Sequence, residues 1–71
     1  MEQTTFTGFG IVGCRVDASY GAIRAGDLLV SSPTPGHAMR ADAPPPGTIL
    51  GKAIGSLDAG TGIVHVLETL R

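Results

Sequence analysis

Eleven glycines and five prolines punctuate this 71-residue chain so evenly that the longest stretch free of both, Ile63 to Arg71, is nine residues. Glycine loses the most backbone freedom on ordering, and proline lacks an amide donor and clashes with the preceding helical turn. A typical helix is about 11–12 residues long and a strand only about 5–6, so the spacing predicts strands throughout. Short strands separated by turn residues define a small barrel or sandwich. The expected fold is all-β, with about five to six short strands and no substantial helix.

The chain is organised around Ala22 to Ala41. Ile23 is an apolar plug ahead of a turn in which Gly26 can take a positive φ. Leu28 and Val30 then share one side of a strand, because side chains alternate faces. Pro33 and Pro35 donate no amide hydrogen, so the Pro-x-Pro-Gly corner cannot continue a central strand. Strands are expected at Asp27–Ser31 and His37–Ala41.

Residues 1–8 read as a polar, Thr-rich N-terminal arm, and residues 9–71 as one barrel-like domain. Phe9 to Val16 forms the first strand, with Val12, Cys14 and Val16 on one face and Phe9, Ile11 and Arg15 on the other. Gly10 and Gly13 inside it suggest a close approach, a bulge or tight curvature. Asp42 to Gly47 carries three consecutive prolines and reads as an extended, pre-ordered connector; a ligand for a proline-recognition domain is the functional alternative. Thr48 to Ile54 reads as the next strand, with Ile49, Gly51 and Ala53 facing one way and Leu50, Lys52 and Ile54 the other. Ile63 to Leu70 is the last, with Val64, Val66 and Leu70 on one face and Ile63 and Leu67 on the other. Apolar residues on both faces mark a strand central to a sandwich or covered at a subunit contact. The contact is the favoured reading, through Ile63, His65 and Leu67.

A chain of this size buries only about 60% of its unfolded surface, and natural domains this small usually add disulfides, a metal or a partner subunit. Cys14 is the lone cysteine, so no internal disulfide forms, and two widely spaced histidines give no zinc pattern. Self-association is the remaining stabiliser. Hydrophobic residues make up 42% of the chain but charged ones only 15%, against an average charged fraction of roughly 25%, which leaves apolar surface for another copy to cover. The net charge of -1, scattered Lys and Arg and 4% aromatic content argue against nucleic-acid binding, which wants a basic stripe or stacking aromatics. No apolar run approaches the roughly 18 residues that span a bilayer. Met1 to Phe6 has neither a basic nor an apolar signal region, so a cytoplasmic location is the default expectation.

Chemistry-bearing residues are few. Ser31, Ser32, His37 and Asp27 suggest a Ser-His-Asp arrangement, but the Gly-x-Ser-x-Gly elbow is absent and serines beside proline are ordinary turn formers. His65 and Glu68 fall on opposite faces of one strand. Cys14 beside Arg15 has either a lowered pKa or, among Val12 and Val16, the role of a small buried apolar residue. Asp17, Asp27, Asp42 and Asp58 all lie at turns, where carboxylates accept from backbone amides. No catalytic residue, metal ligand or cofactor is assigned. A groove near His37, Arg40 and Lys52 holding a small anion or sugar is the binding alternative.

The run Gly26-Asp27-Leu28-Leu29-Val30-Ser31-Ser32-Pro33-Thr34-Pro35-Gly36-His37-Ala38-Met39-Arg40, with Pro46 to Ile54 and Gly60 to Leu70, resembles C-terminal β-rich domains of bacterial surface-type proteins. It is similar to the peptidase G2 domain of phage tail appendages, over roughly residues 10–71. The resemblance implies a compact β fold ending a fibrous, usually trimeric protein, in a surface or virion context. Related phage domains act as intramolecular chaperones that cut themselves off after trimerisation, so a relic of that activity is a third reading. No cleavage residue carries over to a position here. The turn at Ile23 to Leu29 is also similar to the Ile-x-x-Gly-Asp-x-Leu turn of PDZ-like and SAF-like β domains. The leading expectation is a non-enzymatic β-barrel module that self-associates, with a homotrimer favoured.

Overall fold

A computed structural model describes residues 9–69; the N-terminal arm and Leu70 lie outside the described residues. Five strands form a closed barrel: β1 (Phe9–Asp17), β2 (Leu28–Ser31), β3 (Ala38–Ala41), β4 (Gly51–Ala53) and β5 (Thr61–Thr69). Their order around the barrel is β1-β3-β2-β4-β5, with β5 returning to β1. No helix exceeds a single 3-10 turn among the described residues, at Ala18–Tyr20 and Pro46–Thr48. None is long and apolar enough to cross a membrane.

The longest seam is the antiparallel β1–β5 ribbon, which runs without a break from Phe9↔Thr69 to Asp17↔Thr61. The glycines of β1 therefore introduce no bulge. Gly13 lies beneath Ile63: a Cβ there would meet Ile63 Cγ2 at 3.4 Å, an ordinary van der Waals contact. The opposite edge of β1 is nearly unpaired. It meets β3 in parallel at the single register pair Val16↔Ala38, so the barrel closes at its base and opens above.

Strand alternation fills the interior. Val16, Ile23, Leu29, Ala38, Ala53, Val64 and Val66 form the buried core, with Cys14 and Leu57 packed against it. Ile23 is the expected plug, at 0% exposure, and its backbone exchanges two 2.9 Å hydrogen bonds with Leu57. Gly26 sits at φ 97° in the Arg24–Asp27 turn, closed by the 3.0 Å Asp27 N–H to Arg24 carbonyl bond. In β2 the fully buried residue is Leu29, while Leu28 and Val30 share the outward side and are half-buried.

The fourth strand is shorter than the expected Thr48–Ile54. Thr48 N–H and hydroxyl both donate to the Pro45 carbonyl, at 3.0 and 2.7 Å. This wraps Pro46–Thr48 into a 3-10 turn. Pairing with β2 begins only at Leu50 N–H to Leu29 O, 2.8 Å. Ile49 consequently lies outside the strand and is exposed, whereas Gly51 and Ala53 face the core and Lys52 faces out. Of the connector expected to be extended over Asp42–Gly47, Pro45 has polyproline geometry at φ -57° and ψ 139°, but Ala43 is left-handed at φ 45° and Pro46 and Gly47 belong to the 3-10 turn.

Candidate functional site

Two surface clefts flank the β2–β3 hairpin. The larger, about 620 Å³, lies between the hairpin and the proline connector and is lined by Val30, Ala41, Pro44, Pro45 and Leu50 among others. The smaller, about 380 Å³, occupies the split between β1 and the hairpin above Val16↔Ala38, and its lining includes Cys14, Arg15, Ser31, Ser32, His37 and Leu50.

The Ser32–His37 corner that bounds the smaller cleft is held by its own side chains. Ser32 Oγ accepts from Thr34 N–H at 3.1 Å and lies 2.8 Å from the His37 carbonyl and 3.0 Å from the Thr34 carbonyl, positions where it donates. His37 N–H closes a turn on Thr34 O at 3.1 Å, with Gly36 at φ 73°. A carbonyl can only accept, so His37 Nδ1, 2.9 Å from Pro35 O, carries a proton and leaves Nε2 as the outward ring nitrogen.

Asp17 ties this corner to the end of β1. Its carboxylate accepts from Ser19 N–H at 2.9 Å and from Thr34 Oγ1 at 2.7 Å, and Thr34 Oγ1 lies 3.2 Å from the Tyr20 hydroxyl. Hydrogen bonds from Ser19 and then Thr34 lower the Asp17 pKa below the ordinary carboxylate value, outweighing desolvation, and nearby His37 adds a smaller pull in the same direction. Asp17 is only 5% exposed, screened by its hydrogen-bonding partners and not by depth in the apolar core.

The binding candidates His37, Arg40 and Lys52 go to three different places. His37 lines the smaller cleft. Arg40 shares the inward side of β3 with Ala38 and runs to the barrel's far end, where Nε lies 3.5 Å from Asp27 Oδ2 and Nη2 bonds Asp42 Oδ1. Lys52 stands exposed on the outer side of β4, beside Leu28 and Leu67 in register. Neither cleft is lined by Arg40 or Lys52. Arg15, which the sequence did not single out for binding, joins Ser31 and His37 instead. Ser31 reaches the His37 end of β3 through the local β2–β3 hairpin, whereas Arg15 meets them only through the β1–β3 closure, a non-local contact with no local sequence signal.

The imagined Ser-His-Asp set does not assemble. Ser32 is engaged within its turn, and Asp27 Oδ2 accepts from Arg24 N–H at 2.8 Å and pairs with Arg40. Cys14 is half-buried, and desolvation, then the charge of Glu68, pushes its thiol pKa up, opposite to the reactive-thiolate alternative. Among the described residues, no group of three or more His, Cys, Asp or Glu could hold a metal ion.

The interface candidates share one surface. Ile63, His65 and Leu67 alternate outward on β5, opposite Arg15, Gly13 and Ile11 of β1. Ile11 is 65% and Ile63 69% exposed, while Leu67 is half-buried.

No protein-family model, curated protein or solved structure matches this chain.

Proposed function

We propose that this chain is a non-enzymatic structural module whose barrel self-associates through the outward face of the β1–β5 ribbon, three copies being the number that the phage-appendage resemblance implies. The observation that carries this reading is the pairing of apolar side chains on that face. Ile11 stands opposite Leu67, and Ile63 packs over Gly13. Ile11 and Ile63 are left 65% and 69% exposed on a chain with a 15% charged fraction. A surface row of large aliphatics on a two-stranded ribbon gains by burial, at roughly 25 cal/mol per Å² of apolar area removed from water.

The same face carries the Arg15 guanidinium opposite Ile63, and its long aliphatic stem lets the charge stay in water while the aliphatics are buried. His65 is exposed between Ile63 and Leu67, and Lys52 lies next to Leu67. Light scattering across a dilution series tests the proposal: a mass that is a multiple of the 71-residue chain supports it, and a monomer at micromolar concentration overturns it.

A further inference from the structure

We propose that the split between β1 and the β2–β3 hairpin binds a small oxyanion, a phosphate or carboxylate group, held by Arg15, Ser31 and His37. Arg15 stands opposite Ile63 at the edge of the outward β1–β5 face, whereas Ser31 and His37 lie on the β2–β3 side of the split, so the site borders that face and is read out by anion binding, not by mass.

Its geometry follows from the incomplete closure of the barrel. With Val16↔Ala38 as the sole register pair between β1 and β3, the strands part above it and leave a cleft of about 380 Å³. That volume lies within the range of small-molecule sites, and barrel mouths are a favoured place for them. The residues lining the cleft include a guanidinium, an imidazole, two hydroxyls and no carboxylate. Arg15 and Ser31 are exposed there. A guanidinium offers a planar fork of donors that matches the oxygens of phosphate or carboxylate.

The supporting groups are pre-set. Ser32 spends its hydroxyl on the turn that presents His37, and the Pro35 carbonyl fixes the His37 ring through Nδ1 at 2.9 Å. In the neutral ring Nε2 accepts a hydrogen bond from the hydroxyl of a protonated phosphate, and in the imidazolium it donates to a phosphate or carboxylate oxygen. Two carboxylates act near the cleft without lining it: Asp17 is already engaged by Ser19 and Thr34, and the charge of Glu68 reaches Cys14 and works against an anion. Leu50 and Ala38 add apolar wall.

The test is an amide-resolved NMR titration of the full chain with sodium phosphate, and separately with sodium acetate, at ionic strength held constant with sodium chloride. Saturable shifts centred on Arg15, Ser31, Gly36 and His37 are expected. Saturation with phosphate alone assigns a phosphate group, and saturation with both assigns oxyanions generally. Arg15→Gln, with its spectrum still dispersed, should weaken binding roughly tenfold or more, while Lys52→Gln should titrate as the parent does. If Arg15→Gln loses its dispersion, Ser31→Ala serves in its place, with a smaller weakening expected. Shifts that stay linear with both anions, or a folded Arg15→Gln that binds unchanged, overturn the proposal.

Discussion

Gly51 and Val66 approach so closely that a Cβ on Gly51 would lie 2.5 Å from Val66 Cγ1 and 2.7 Å from the Leu67 carbonyl oxygen. The second neighbour is backbone and cannot rotate away. Gly51→Ala should therefore force β4 from β5 and destabilise the barrel by about 1–3 kcal/mol. Thermal unfolding should show a midpoint lower by several degrees. Gly47→Ala, where a Cβ meets nothing within 4 Å, is the control and should change stability by no more than about 0.5 kcal/mol.

Acid should loosen the corner that Asp17 secures. Its folded-state pKa lies below the unfolded value, because Ser19 and Thr34 donate to the ionised carboxylate. The unfolded carboxyl titrates near about 3.9. The contribution is thus fully present above that pH and is lost as pH falls through the lowered folded value. Asp17→Asn should flatten the acid limb of a stability-versus-pH curve measured by denaturant unfolding. An unchanged limb would show that other carboxylates set it.

Cys14 should be a slow thiol. Partial burial and the Glu68 charge both disfavour its thiolate, and the thiolate is the nucleophile. Alkylation by iodoacetamide at mildly alkaline pH should run slower in the native protein than in the urea-unfolded chain. An equal or faster native rate would restore the reactive reading that Arg15 suggested.

Much of this architecture is written locally. The Gly and Pro spacing excludes helices, Ile23 and Gly26 announce the plug and its turn, and the alternation of Val64 and Val66 against Ile63 separates the inner from the outer side of β5. What escaped local reading depends on contacts between distant segments. Thr48 looks like a strand residue until its hydroxyl and amide both find Pro45. Gly51 looks incidental until β5 lies against it. His37, Arg40 and Lys52 seem neighbourly in sequence, yet pairing partners send Arg40 to Asp27 and Asp42 and Lys52 to the outside. The Val16↔Ala38 closure, which creates the Arg15–Ser31–His37 cleft, is parallel and non-local. Outer residues such as Ile11 are legible as apolar but not as exposed, since exposure is decided by which face the barrel encloses.

The claim of self-association is most directly tested by sedimentation equilibrium on the parent chain and on Leu67→Asp. Leu67 pairs with Lys52 in register, so an aspartate there gains an opposite charge across the strands and the single barrel should tolerate it. The account predicts a concentration-dependent multimer for the parent and a folded monomer for Leu67→Asp. A parent that sediments as a monomer at micromolar concentration, or a variant with the same multimeric mass, would contradict it.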